Sequence, residues 1–348
     1  MNAPHVGLLP AGARDAITDV AGVTVGHATL ANGPVQTGVT VVHPHAGDPF
    51  REKVPAGVAV INGFGKSVGL VQVDELGVLE TPIALTNTFS VGTVATAQIR
   101  RAVAANPEIG RAWPSVNPLV FECNDGFLND MQAFAVAESH YAEACAAASP
   151  VFAQGAVGAG RGMSCFEMKG GIGSSSRVVA TAGRTCTVGA LVLSNFGKLA
   201  QMTIAGRRVG AALAARLPSD AGTPERGSII LLLATDAPLD ARQLRRLAKR
   251  AGAGLARTGS VYGHGSGDIA LAFSTAYTVP HDAAVPAQTP PLLPDATLDP
   301  LFQAAADAIE QAILHALFAA ETVTGRDGHV RHGFTQQAPD WTALEAAP

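Results

Sequence analysis

Between Val23 and Thr88 the chain sets short runs of Val, Thr and Ala (VTVGHATL, TGVTVVHPH, VPAGVAVINGF, TPIALTNTF) between Gly, Pro and Asn clusters, which predicts a block of strands. The period then lengthens. TVATAQIRRAVAANPE, from Thr93, predicts a helix, NPLVFECN a strand, and FLNDMQAFAVAESHYAEACAAA a second long helix. A glycine-dense loop, QGAVGAGRGMSCFEMKGGIGSSS, precedes four further predicted strands: RVVATA, TVGALVLSNF, MTIAGRRV and SIILLLAT. In LDARQLRRLAKRAGAGLARTG, Asp240 stands where an N-cap belongs, Leu244, Leu247, Ala248, Ala251 and Leu255 recur at helical spacing, and Gly259 follows the end. The basic residues of this helix (Arg242, Arg245, Arg246, Lys249, Arg250) read as its solvated face.

GDIALAFSTAYTV alternates large Ile269, Leu271, Phe273 and Tyr277 with small Ala270, Ala272, Ser274 and Ala276, the period of a strand whose small face meets a closely packed layer. A Pro-rich loop leads to a last helix, LFQAAADAIEQAILHALFAA, and to a polar tail expected to be disordered. Strands in blocks, with helices grouped between and after them, argue for an α+β fold in which helices cover the outside of two sheets packed face to face. Without a linker between two cores, the 348 residues form a single domain.

Composition narrows the partners. Hydrophobic residues make up 47% of the chain and charged residues only 15%, below the usual quarter, which implies burial in subunit contacts and hence an oligomer. A net charge of -4 without a basic block lacks the footprint of a nucleic-acid binder, and no apolar run approaches the ~20 residues of a membrane span. The opening residues do not read as a signal peptide, so a cytoplasmic protein is expected. The four cysteines (Cys123, Cys145, Cys165, Cys186) form no CxxC pair, so buried free thiols are expected rather than a disulfide framework or a zinc site. His43 and His45 alternate on a strand without a third ligand, so no metal and no cofactor is predicted.

Glycine-loop and triad chemistry both fall short. GAVGAGRGMSC lacks GxxxxGK[ST] and the strand, helix and acid of a dinucleotide fold, and GxSxG in a strand-to-helix setting does not occur. What remains is Gly227–Ser228, at the mouth of the predicted strand SIILLLAT. A serine hydroxyl needs a base, and one source is the serine's own amine, freed by breaking the preceding peptide bond. An α-amino group titrates near ~7.7 to 8.0, so such a residue carries nucleophile and base together at neutral pH. Glycine before it would tolerate the strained backbone that opens its carbonyl to attack. On the dipeptide alone, a plain Gly-Ser turn before a core strand is the simpler reading.

The neighbourhood changes this. RGSIILLLATDAPLDARQLRRLAKRAGAGLARTGS, with GHGSGDIALAFSTA downstream and NPLVFECNDGFLND, GAVGAGRGMSCFEMKGGIG and LVLSNFGKL upstream, resembles the DmpA-type aminopeptidase family, which holds L-aminopeptidase/D-esterases and β-peptidyl aminopeptidases. The likeness runs from DVAGVTVGHATL through FSTA with the motifs in order. It implies a self-processing hydrolase of N-terminal-nucleophile type, a four-layer αββα sandwich and a tetramer. Gly227 and Ser228 match the processing site, which would yield chains 1–227 and 228–348 with Ser228 as nucleophile.

Asn195, in LSNFG, matches the asparagine whose amide donates to the oxyanion, a donor worth roughly 3 to 4 kcal/mol in serine hydrolases. Ser266 and Asp268, in HGSGD, match a hydroxyl and a carboxylate beside the nucleophile's amine; some relatives carry glutamate at the latter position. Glu122, in FECNDG, matches the carboxylate facing the substrate's free amino group, which would restrict the enzyme to N-terminal residues. Asn124 stands where some relatives carry an aromatic residue lining the site. The function implied is an aminopeptidase or amidase acting on small peptides, amino-acid amides or esters, with β-peptides among them. The alternatives are acyl transfer of the ornithine acetyltransferase kind and a noncatalytic binding protein that keeps the fold.

Overall fold

A computed structural model of the chain describes residues 2–217 and 227–344. Two hairpin strands, β1 (Thr24–Asn32) and β2 (Val35–His43), lead to β3 (Glu52–Gly63), a short helix α1 (Leu70–Leu76) and the strands β4 (Val78–Leu79) and β5 (Ile83–Asn87). Helix α2 (Val91–Ala105), β6 (Val120–Cys123) and α3 (Glu138–Ala146) follow, then the small hairpin β7 (Ser164–Cys165) and β8 (Met168–Lys169). The long pair β9 (Gly171–Thr181) and β10 (Arg184–Asn195) precedes α4 (Val209–Ala214), β11 (Ser228–Thr235), α5 (Ala241–Arg257), β12 (Gly267–Ser274), β13 (Val279–Pro280) and α6 (Asp299–Ala319). A C-terminal segment carries β14 (Val323–Thr324), β15 (Val330–Arg331) and α7 (Phe334–Gln337).

These elements stack as four layers. One sheet has the order β1-β2-β5-β6 and the other β13-β3-β12-β11-β10-β9, with β4 also paired to β3. Val25, Val42, Ile83 and Phe121 of the first meet Val58, Leu191, Ile230, Leu232 and Leu271 of the second between the sheets. Helices α2 and α3 cover the outside of the first sheet, and α5 and α6 the outside of the second. The αββα sandwich is thus as the resemblance implies. Strand β11 is buried on both faces, Ile229, Leu231 and Leu233 toward the helices and Ile230, Leu232 and Ala234 between the sheets, which is why it reads as an unbroken apolar run. In β12 the small Ala270 and Ala272 face the helices while Ile269, Leu271 and Phe273 fill the inter-sheet core.

Several local expectations fail for identifiable reasons. The second long helix is confined to Glu138–Ala146: the Asp130 carboxylate accepts from Gln132 N and ends a tight turn, and Phe134 has φ +46°. MTIAGRRV is a turn rather than a strand, because Ala205 and Gly206 both adopt left-handed backbone, at φ +49° and +76°. The end of the glycine-dense loop, GIGSSS, opens β9 instead; a Cβ on Gly173 would lie 1.9 Å from Ala312 O, so glycine there lets α6 rest on the strand. The tail is folded up to residue 344, with Phe334, Trp341 and Leu344 joining the helix-side core against Phe318; its last four residues, 345–348, lie outside the described residues.

The basic face of α5 is tied down by acids of neighbouring segments, Arg242 with Asp295 at 2.8 Å, Arg245 with Asp74 at 3.1 Å and Arg257 with Asp307 at 2.7 Å. The glycine loop is pinned by Lys169, fully buried, whose Nζ donates to the carbonyls of Gly160, Met163 and Gly170. No helix among the described residues is long and apolar enough to cross a membrane.

Candidate active site

Strand register, more than local sequence, assembles the site. In the antiparallel pair β10 and β11, Asn195 stands opposite Ser228. In the parallel pair β11 and β12, Ser228 stands opposite Gly267, and Asp268 in turn opposes Asn62 of β3, with a register shift immediately after Asp268. From the other sheet, β6 brings Glu122. Ser228, Glu122, Asn124, Phe64, Lys66 and Thr88 line one cavity of about 460 Å³, with Gly227 and the turn at Gly263–Gly265. Asn195 opens instead onto an adjoining cavity of about 750 Å³, which shares Asn124 and Gly227 with the first.

With the Gly227–Ser228 bond intact, Ser228 Oγ donates 2.8 Å to the carbonyl oxygen of Gly227 and accepts 3.3 Å from Gly267 N. Ser266 Oγ donates 2.6 Å to Asp268 Oδ1; both residues are buried. Asn62 Nδ2 donates 3.0 Å to Gly263 O and also to Ser266 O, fixing the turn that delivers the pair. The Asn195 side chain is held at both ends, Oδ1 accepting 2.8 Å from Ser164 N and Nδ2 donating 2.9 Å to Asn124 O. Glu122, buried, accepts 2.8 Å from Lys66 N and also from the Thr88 hydroxyl. Asn124 turns its Oδ1 to Gly126 N at 2.9 Å, closing its own loop.

The structure therefore gathers Gly227, Ser228, Glu122 and Asn124 around one cavity, sets Asp268 on the strand next to Ser228 with Ser266 just before that strand, and turns Asn195 toward the second cavity. Sequence reading missed Lys66, Phe64, Thr88 and the Gly267 amide; the only local cue is the polar cluster NGFGKS after a strand. Cys123, the nearest thiol to Glu122 in sequence, is kept protonated: burial pushes it well up, and the carboxylates of Glu122, Asp268 and Asp125 add to this. Among the described residues no group of three or more His, Cys, Asp or Glu could hold a metal, and the four cysteines are buried and form no disulfide.

Close backbone approach requires glycine at residue 227. A Cβ there would lie 2.5 Å from Asn195 O and 2.6 Å from Phe196 Cα. Only glycine lets the two backbones approach this closely. Gly227→Ala should displace the Gly227 carbonyl from Ser228 Oγ and slow any cleavage after residue 227 by about 100-fold, the cost typical of ~1 Å misplacement; a time course of chain mass after purification checks this.

Asp125, beside the site, carries a stability prediction. Burial pushes its carboxyl from 3.8 up to about 7, against the pull of hydrogen bonds from Thr37 and Asn129. Since the folded chain holds a proton that the unfolded chain has released, this group's contribution is fully present below about 4 and is lost as pH rises to about 7. The loss amounts to up to about 4 kcal/mol. Asp125→Asn should flatten the fall of Tm across that window and raise Tm at pH 8, read by thermal unfolding.

The model of peptidase family S58 matches residues 15–331. A β-peptidyl aminopeptidase, BapA of Sphingosinicella microcystinivorans, is 42% identical over 341 residues, covering 91% of this chain and 85% of that protein. Among solved structures, a Burkholderia sp. β-aminopeptidase superposes with a TM-score of 0.90 at 41% identity, covering 99% of this chain and 98% of the other. The L-aminopeptidase D-Ala-esterase/amidase of Ochrobactrum anthropi, described as a prototype of the serine aminopeptidases and a variant of the Ntn hydrolase fold, superposes at 0.87 with 34% identity and the same coverage. With this fold and a serine at the mouth of its central strand, the chain belongs to peptidase family S58 and is a serine aminopeptidase of the Ntn-hydrolase type.

Proposed function

We propose that the chain cleaves itself between Gly227 and Ser228 and then uses Ser228 to release N-terminal residues from small peptides, amides and esters. The observation that carries this is the placement of Ser228 Oγ, 2.8 Å from Gly227 O and beside Gly267 N, in a cavity that also holds Glu122. Attack of Oγ on the Gly227 carbonyl carbon closes a five-membered ring; loss of the Ser228 nitrogen from that carbon leaves an ester and a free amine. Water then hydrolyses the ester, giving a Gly227 carboxylate and restoring the hydroxyl. The products are chains of 227 and 121 residues, read from the 348 of the sequence.

In turnover, the Ser228 amine takes the hydroxyl proton as Oγ attacks the substrate carbonyl. The Asn195 amide, already fixed by Ser164 N, donates to the oxyanion together with backbone N–H groups. Asp268, hydrogen-bonded by Ser266, holds the ammonium formed at Ser228, and Glu122 pairs with the substrate's own ammonium. The proton returns to the leaving amine, and water releases the acyl group. The names of two similar proteins, a β-peptidyl aminopeptidase and a β-aminopeptidase, support β-peptides as substrates. Exposed Phe89 and Phe134, stacked 5.8 Å apart, and the low charge content support subunit contacts in a tetramer. Four cysteines outside any disulfide fit a cytoplasmic setting.

The test is the pH profile. Since the base is an α-amine, kcat for an amino-acid amide at saturation, where Glu122 holds the substrate ammonium, should rise with pH through about 7 to 8. A profile flat from pH 6 to 9 would contradict the amine as base.

A further inference from the structure

Resting on that reading of Ser228 and Glu122, we infer that Lys66 selects substrates whose first residue carries a carboxylate beside its ammonium, and that β-aspartyl amides are the class that fits. Besides His264, the ionisable side chains lining the cavity of Ser228 among the described residues are Glu122 and Lys66. They are opposite in sign and adjacent in space. The Lys66 backbone N–H donates 2.8 Å to Glu122 Oε1, so the lysine side chain springs from the residue that fixes the carboxylate.

Phe64, Gly65 and Lys66 span the space between nucleophile and carboxylate. At one end a Cβ on Gly267, the ladder partner of Ser228, would lie 2.6 Å from Phe64 O. At the other a Cβ on Gly65 would lie 3.6 Å from Glu122 Oε1, so glycine leaves that approach clear of a side chain. Glu122 is buried and Lys66 exposed at the cavity. Among the described residues no acid forms an ion pair with Lys66. Its Nζ lies 4.2 Å from the centroid of the Phe64 ring, a wall of the same cavity, and the His264 ring is 6.1 Å from that of Phe64. A cation over an aromatic ring at an exposed site is held weakly, so its charge is available to an incoming anion.

A β-aspartyl residue is a β-alanyl residue with a carboxylate on the carbon that bears the ammonium. Its ammonium therefore stands at the β-peptide spacing from the scissile carbonyl, and once that ammonium meets Glu122 the carboxylate beside it faces the residue next to Glu122, which is Lys66. The α-aspartyl isomer sets its carboxylate one bond farther from the ammonium and its ammonium one bond nearer the carbonyl. It matches the adjacent pair less closely. In turnover Ser228 Oγ bonds to the β-carbonyl carbon, the bond from that carbon to the leaving amine breaks, and the amine departs with a proton. Water then hydrolyses the ester, freeing aspartate and restoring the hydroxyl.

The experiment measures kcat/KM at about pH 7, where the substrates are mainly ammonium, for β-aspartyl p-nitroanilide and for the same anilide with its α-carboxylate as a primary amide. Both are run on processed wild type, Lys66→Met and Lys66→Glu, with β-alanyl p-nitroanilide alongside. Wild type should favour the acid over its neutral isostere by about fivefold, the scale of an exposed ion pair, and added salt should reduce that ratio. Lys66→Met should bring the ratio to about one, and Lys66→Glu should carry it below one, a reversal that misfolding alone cannot produce. A wild-type ratio at or below one, or the same ratio in Lys66→Met as in wild type, overturns the role of Lys66, while hydrolysis of the β-alanyl anilide leaves that of Ser228 intact. Failure of processed wild type to hydrolyse either β-alanyl p-nitroanilide or alaninamide would overturn the reading of Ser228, and this inference with it.

Discussion

Ser228→Ala is expected to leave a single uncut chain and to lower hydrolysis of every amide and ester substrate by at least about 10⁴-fold, the scale on which removal of a nucleophile acts in serine hydrolases. Two functions disappear with one oxygen. The hydroxyl that lies 2.8 Å from Gly227 O is lost, so the peptide bond has no internal attacker, and without cleavage the amine at residue 228 stays in an amide and cannot accept a proton. The fold itself should persist, because Ser228 sits at the end of β11 while the strand's packing comes from Ile229 to Ala234. Far-ultraviolet circular dichroism and Tm within a few degrees of wild type, beside lost activity, are the expected readings; residual turnover above about 1% would place the nucleophile elsewhere.

The second large effect is expected at Glu122. Glu122→Gln keeps the shape and an acceptor for Lys66 N, but removes the charge that would face the substrate ammonium. Leaving a cation in a buried site without its partner costs about 3 to 5 kcal/mol, so kcat/KM should fall by roughly two to four orders of magnitude. Self-cleavage, which involves no ammonium before the bond breaks, should continue at a rate within a few-fold of wild type. The two readouts separate a role in substrate binding from a role in holding up the site: equal damage to both would assign Glu122 to structure, through its contacts with Lys66 and Thr88.

What local sequence reveals here follows from what local physics decides. Strand β11 is legible because burial on both faces demands an unbroken apolar run, and α5 because Asp240 caps it, its side chain accepting from Gln243 N, ahead of a regular apolar stripe. The tail does not read as folded because its polar residues outnumber the few that matter, Phe334, Trp341 and Leu344, whose burial depends on where the chain returns in space. MTIAGRRV carries strand-like composition overruled by two left-handed residues. At the site, Asn195 and Ser266 sit in stretches that look like ordinary turns. They become informative through the register that sets Asn195 and Gly267 on either side of Ser228, pairings between segments far apart in the chain. Their proposed roles come from family motifs, and periodicity would not have singled them out. Likewise the requirement for glycine at 227 lies in the backbone of Asn195 and Phe196 across the ladder, which no reading of the dipeptide exposes.

Denaturing intact-mass analysis of the purified wild-type protein tests the central claim most directly. The account predicts two species of 227 and 121 residues meeting between Gly227 and Ser228, from the 348-residue chain. A catalytically active preparation consisting of the uncut chain alone would contradict it, because Ser228 would then have no free amine to serve as its base.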